Sequence, residues 1–162
     1  MNDREHNGLW VIWLSFLAAY VLAVVPLPQS LLWVRPEWMG LVLIYWTIAL
    51  PDRVGLFTGL ILGIGLDAIE GAVFGQNAFS LVIVALLSLI LYQRLRVFNV
   101  WQQAGMVFIL IGINQLICQW VQNLQGTGTQ SLLFLLPAVS SALMWPVVLH
   151  LLRSLRRHYR LA

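Results

Sequence analysis

The sequence predicts an all-α integral membrane protein with six transmembrane helices, and three observations lead to this prediction. Hydrophobic residues make up 60% of the 162 residues and charged residues only 9%, whereas soluble domains average about 25% charged residues. The apolar residues also collect in segments long enough to cross a membrane. Finally, the basic residues concentrate in segments that would share one side of that membrane. This composition excludes a soluble globular domain, a disordered chain and a disulfide-stabilised secreted module.

Six apolar segments follow one another along the chain, each close to the roughly 17–25 residues that a membrane helix requires. The first stops before Pro26 and Pro28, the second has Arg35 to Glu37 near its start, and the third continues through Asp67. The predicted spans are 9–25, 31–50, 54–74, 78–92, 104–121 and 132–152. They form one domain that ends in a basic tail, 153–162. An alternative has four spans, with segments two and three forming a re-entrant hairpin.

The arginines predict the orientation. All nine basic residues are arginines, and with six spans and cytoplasmic termini only Arg35 lies outside. Cytoplasmic loops carry the excess of basic residues in membrane proteins, so we predict that both termini are cytoplasmic. An odd number of spans would place the two basic ends on opposite sides. The net charge of +3 is too small and too dispersed to indicate nucleic-acid binding.

Small residues recur every four positions through the third span. On a helix they form one face with almost no side chains, which a second backbone can approach closely. Packing within the chain and docking of a partner helix both account for such a face. We call it the glycine stripe, and it consists of Gly55, Gly59, Gly63, Asp67, Gly71 and Gly75.

Four charged residues fall on the predicted outer side: Arg35, Glu37, Asp67 and Glu70. Ionisable groups at membrane depth are costly and are usually paired. Arg35 is the only basic residue on that side, so we expect it to pair with Asp67. The alternative is that these charges lie at the interface and extend to the lipid headgroups.

Amide side chains line one face of the fifth span: Asn114, Gln115, Gln119 and Gln122. Amides in membrane helices usually hydrogen-bond to neighbouring helices, each worth about 1 kcal/mol or less. A polar pocket or a protein interface is the alternative.

The tail carries Arg153, Arg156, Arg157 and Arg160. Basic residues just inside a membrane helix attract anionic lipid at about 1 kcal/mol per charge. We therefore expect the tail to face lipid, with docking of a cytoplasmic partner as the alternative.

Catalytic patterns are missing from the sequence. His6, His150 and His158 are not spaced as metal ligands with one another or with a carboxylate. The single cysteine, Cys118, lies in an apolar run and is interpreted as a small buried hydrophobe. No nucleophile motif is present. We predict a protein that is not an enzyme and that holds no metal and no cofactor.

Several segments together resemble the rod shape-determining protein MreD family of Gram-negative bacteria. The resemblance extends over nearly the full length, and the order and spacing of the segments fit throughout. The matching segments are WVIWLSFL from Trp10, RPEW from Arg35, YW from Tyr45, ALPDRV from Ala49, the glycine–aspartate run from Gly63 to Gly75, WQQA from Trp101 and LMWP from Leu143.

The resemblance implies a non-enzymatic scaffold in the inner membrane, within the machinery that builds the side wall of rod-shaped bacteria. Its implied partners are a bitopic MreC-like protein, the actin-like MreB, a RodA-type glycosyltransferase and its transpeptidase. The MreC helix would dock on the glycine stripe. The implied fold is similar to the substrate-binding components of energy-coupling-factor transporters. The alternative function is therefore a small-molecule-binding transporter subunit, with Trp33, Asp67 and the amides of span five around an outer cavity.

Overall fold

The computed structural model describes residues 2–26, 28–32, 34–71, 74–126 and 132–159. The regular elements in these ranges are all helical, which confirms the predicted all-α class. The helices are α1 (Asn2–Val24), α2 (Gln29–Leu32), α3 (Trp38–Ala49), α4 (Leu56–Glu70), α5 (Gln76–Val97), α6 (Val100–Leu124) and α7 (Leu136–His158), with a 3-10 turn at Leu132–Leu135 before α7.

Three of these helices, α5, α6 and α7, are long and apolar enough to cross a membrane. The apolar part of α1, Gly8–Val24, and the whole of α3 are shorter. With a rise of 1.5 Å per residue, the 12 residues of α3 extend over only about 18 Å, against a hydrocarbon core of about 30 Å. These lengths support a membrane protein, and six spans remains a prediction.

Backbone chemistry explains where the helices depart from the predicted spans. The second segment is interrupted at Arg35–Glu37, because Pro36 lacks an amide hydrogen and disfavours helical geometry at the residue before it. The third segment ends at Glu70, where Gly71 takes a φ of 64°, the left-handed conformation that commonly closes a helix. At the other end of the chain, α7 continues to His158 and includes the start of the basic tail.

Helix α3 lies at the centre of the molecule. All residues from Met39 to Ala49 are buried, and α3 packs against α1, α5 and α7. The buried Trp46 indole donates a 2.7 Å hydrogen bond to Ser15 Oγ of α1. An apolar helix enclosed in this way has protein rather than lipid around it, so its short length does not expose its ends to hydrocarbon.

The glycine stripe is used inside the chain. A Cβ atom on Gly63 would lie 2.3 Å from Ala78 Cα, and one on Gly59 would lie 3.0 Å from the Leu81 carbonyl oxygen. Both glycines therefore face α5, which packs along α4 at close backbone distance. Because α5 covers Gly59 and Gly63, packing within the chain takes the place of the expected partner contact there.

Candidate functional site

Asp67 forms the centre of a polar cluster where α4 meets α5. Its carboxylate accepts hydrogen bonds from the backbone amides of Gly75 (2.8 Å), Asn77 (2.9 Å) and, more weakly, Ala78 (3.5 Å). These amides open α5, where no preceding turn of helix supplies acceptors. Gly75, with a φ of 94°, lets the chain reverse so that α5 begins beside Asp67. The side chain, only 3% exposed, therefore caps α5 and joins it to α4.

The expected pairing of Arg35 with Asp67 is wrong. Arg35 instead donates from Nη2 to the Leu22 carbonyl oxygen at 2.8 Å and thereby contacts α1. Asp67 needs no cation, because amides at a helix N-terminus present partial positive charge to a carboxylate. The sequence shows only the charges, and this compensating partner belongs to the backbone.

Glu37 connects the start of α3 to two other helices. Its backbone amide donates to Ser141 Oγ of α7 at 2.9 Å, and its Oε1 accepts from Gln115 Nε2 of α6 at 2.9 Å. Glu70, beside Asp67, accepts from Asn77 Nδ2 at 3.1 Å. The predicted outer residues thus lie at one end of the molecule. There Glu37 joins the start of α3 to both α6 and α7.

The amide face of α6 makes hydrogen bonds both to another helix and along α6 itself. Gln115 reaches Glu37, whereas Gln119 donates along its own helix to Asn123 Oδ1 at 3.4 Å. Asn114 is buried, and its Oδ1 has no hydrogen-bond partner among the described residues. Gln122 is half-buried farther along the helix.

The outer end contains a small cavity of about 50 Å³ between Arg35, Glu37, Leu66 and Glu70. This volume holds a few water molecules and lies far below the roughly 300–1,000 Å³ of small-molecule sites. Asp67 directs both carboxylate oxygens at α5, and Trp33 lies outside the described residues. The transporter alternative therefore gains no support from this end of the structure.

Arg96 organises the opposite end of the molecule. Its Nε donates to the Ile48 carbonyl oxygen at 2.9 Å and its Nη2 to that of Ala49 at 3.1 Å. These carbonyls end α3, where no further turn of helix supplies amides. The guanidinium also lies 5.2 Å from the centre of the Tyr92 ring, a cation–π distance. Sequence reasoning assigned Arg96 only to topology, because a distant backbone carbonyl leaves no pattern in the sequence.

Gln103 joins three helices beside Arg96. Its Nε2 donates to the Leu95 carbonyl oxygen of α5 at 2.7 Å, and its Oε1 accepts from the Trp145 indole of α7 at 3.3 Å. The basic tail begins next to this junction. On α7, Arg153 and Arg157 are exposed and Arg156 is half-buried, whereas Arg160 lies outside the described residues.

We expect Arg96→Met to reduce the free energy of unfolding by about 1–3 kcal/mol, because the Ile48 and Ala49 carbonyls then lose a charged donor. Arg94→Met, at an exposed position two residues earlier, removes the same charge and serves as the matched control. Thermal unfolding of the detergent-purified variants measures the difference. Equal midpoints for the two variants would contradict the capping role of Arg96.

Other potential chemistry is sparse in the described part of the chain. No group of three His, Cys, Asp or Glu residues within it could hold a metal ion. Cys118 Sγ lies 3.8 Å from Asn77 Oδ1 and 3.6 Å from Ser80 Oγ, so the thiol packs between α6 and α5. The polar side chains described above thus mainly form hydrogen bonds that join the ends of neighbouring helices.

Comparison with known proteins gives a consistent result. The family model described as rod shape-determining protein MreD matches residues 4–155. The Rod shape-determining protein MreD of Haemophilus influenzae is 32% identical over 153 residues, which is 94% of each chain. No solved structure matches the chain.

Proposed function

Because the chain belongs to the MreD family of rod shape-determining proteins, we propose that it is a non-enzymatic membrane scaffold of the cell-wall elongation complex. The family match over almost the whole chain carries this proposal, and the matched residues, 4–155, extend into every helix described above. The hydrogen bonds between helix ends also support a scaffold function. Asp67, Glu37 and Arg96 fix helices to one another, and a fixed arrangement presents a constant surface to partners.

The proposed partners are a bitopic MreC-like protein and, in a larger complex, a RodA-type glycosyltransferase, its transpeptidase and MreB. Because α5 covers Gly59 and Gly63 of α4, we propose that the partner helix binds at another surface. Large apolar side chains remain exposed on the outer faces of α1 and α4, including Leu17 (56%), Val21 (58%), Phe57 (81%) and Ile61 (56%). In a membrane such side chains meet lipid or another helix.

We further propose six crossings of the bacterial inner membrane, with both termini cytoplasmic. Arg96, near the end of the long helix α5, holds the carbonyls that end α3. Asp67, near the end of α4, holds the first amides of α5. The C-terminal end of α3 therefore lies beside the C-terminal end of α5, and the C-terminal end of α4 lies beside the N-terminal end of α5. This alternation of helix direction supports the proposal. The similarity to energy-coupling-factor components stays a prediction for this arrangement.

Cysteine labelling separates six crossings from the re-entrant hairpin. In a Cys118→Ser background we expect Arg53→Cys to react only with reagent that reaches the cytoplasm, because Arg53 is exposed in the α3–α4 connection. Gln125→Cys, exposed after α6, should react from outside and is the control for the opposite side. A hairpin that returns to the outer surface predicts no cytoplasmic labelling of Arg53→Cys.

Removal of the chain from its native host tests the rod-shape function itself. We expect the cells to lose their rod shape and to recover it when the unchanged chain is expressed again. Cell width and length by microscopy measure the effect, with membrane abundance of the protein as control. Normal rods without the chain, in cells that hold no second copy of the gene, would contradict the proposal.

A further inference from the structure

A second and larger cavity lies at the end of the molecule opposite Asp67. Its volume is about 290 Å³, and α3, α5, α6 and α7 all contribute to its walls. Its polar lining consists of Tyr45, Arg96, Gln103, Trp145, Arg153 and Arg156. Three of these side chains are guanidinium groups, and no acidic side chain is among the lining residues, all of which lie in the described ranges.

The lining offers hydrogen-bond donors in excess of acceptors. The Gln103 amide is satisfied on both sides, by the Leu95 carbonyl oxygen and by the Trp145 indole. Tyr45 is only 4% exposed, and its hydroxyl, which lies beside the Arg156 guanidinium, has no hydrogen-bond acceptor among the described residues. A buried donor without an acceptor is costly. A ligand that accepts hydrogen bonds from Tyr45 and from arginine would remove this cost.

Two of the lining side chains, Arg96 and Tyr45, are held in place before any ligand arrives. The Ile48 and Ala49 carbonyls fix the Arg96 guanidinium, and Tyr45 is enclosed in the central helix α3. Arg153 and Arg156 stand one turn apart on α7, so both face the same side of that helix. Guanidinium groups bind phosphate and carboxylate oxygens through paired, charge-assisted hydrogen bonds.

The position of the cavity selects among anions. It lies where α5 and α7 end in arginines, at the level that the basic residues assign to the cytoplasmic leaflet. That leaflet carries the anionic lipids, and basic pockets between membrane helices on this side bind their headgroups.

We propose that this cavity between α3, α5, α6 and α7 binds the phosphate of an anionic phospholipid headgroup, with the Tyr45 hydroxyl and the Arg153 and Arg156 guanidiniums as donors. The proposal requires the chain to lie in a membrane, and it stands or fails independently of partner binding.

Lipid titration of the purified full chain in a neutral detergent tests the proposal. Thermal stabilisation is measured with phosphatidylglycerol, with phosphatidylcholine and with inorganic phosphate. We expect phosphatidylglycerol to stabilise the chain at concentrations at which the zwitterionic lipid does not. Equal effects of the two lipids would overturn the proposal. Stabilisation by inorganic phosphate at the same concentrations as by phosphatidylglycerol would assign the site to free phosphate and overturn the lipid as its source.

Variants locate the binding. Arg153→Gln combined with Arg156→Gln should weaken the response to phosphatidylglycerol about tenfold or more, since both removed groups form charge-assisted hydrogen bonds. Arg53→Gln combined with Arg94→Gln removes the same charge from exposed positions and should leave it unchanged. An equal loss in both pairs would show general charge attraction and overturn the proposal. Tyr45→Phe keeps the ring, should weaken binding several-fold, and carries the test if the arginine pair fails to fold.

Discussion

Replacement of Asp67 by alanine is expected to lower the free energy of unfolding by about 2–4 kcal/mol and to make cells lose their rod shape. The change removes the acceptor for the amides of Gly75, Asn77 and Ala78. Loss of an N-cap alone costs about 0.5–2 kcal/mol, and buried amides left without an acceptor add about 1–3 kcal/mol. Because the same side chain joins α4 to α5, we expect the two helices to separate at this end.

Thermal unfolding of the purified protein and microscopy of cells that express only the variant measure these two effects. Glu70→Gln is the matched control, since Glu70 is exposed and accepts a single hydrogen bond from Asn77. We expect that control to change stability by about 0.5 kcal/mol or less, as surface substitutions usually do. Wild-type stability and rod shape in the Asp67→Ala variant would contradict the role of Asp67 in joining α4 to α5.

Replacement of Gly63 by alanine is expected to be the most damaging single methyl addition along α4. The new Cβ would lie 2.3 Å from Ala78 Cα and 2.6 Å from the Asn77 carbonyl oxygen. These are backbone atoms, which cannot rotate away as a side chain can, so α4 must move from α5. Overpacking of this kind costs about 1–3 kcal/mol and occasionally more.

The glycines supply their own control series. A Cβ on Gly59 would lie 3.0 Å from the Leu81 carbonyl oxygen, whereas one on Gly112 of α6 would contact nothing within 4 Å. We expect Gly59→Ala to lose less stability than Gly63→Ala. Gly112→Ala should be neutral or stabilising by up to about 1 kcal/mol, because alanine favours the helix over glycine. Any other order of the three unfolding midpoints would contradict close α4–α5 packing at Gly63.

The sequence predicts the helices well because each is set by local apolar composition and by nearby breakers. Pro26 falls where the first apolar run ends, and α1 stops close to it. The end of α4 before Gly71 differs from the prediction, because the third span was expected to continue to residue 74. The interruption at Pro36 is also visible in the sequence, although we included it within a single span. Helix ends that depend on tertiary contacts, such as the long extension of α7 to His158, are harder to predict.

The contacts of the candidate residues could not be predicted in the same way. The partner of Asp67 is a set of backbone amides, and the partners of Arg96 are backbone carbonyls about 48 residues away in sequence. Every residue carries such groups, so no residue pattern distinguishes the partners. The glycine stripe shows the same limit, because its spacing requires close approach of a backbone without telling whether that backbone is α5 or another chain.

The most direct test of the scaffold function is to purify the tagged chain from its native membrane in mild detergent and to identify by mass spectrometry what accompanies it. The account predicts recovery of a bitopic MreC-like protein, with or without the wall synthases. It also predicts that the Glu70→Gln variant recovers the same protein and that Asp67→Ala recovers less of it. Recovery of a transporter ATPase and coupling subunit in place of that protein would contradict the account.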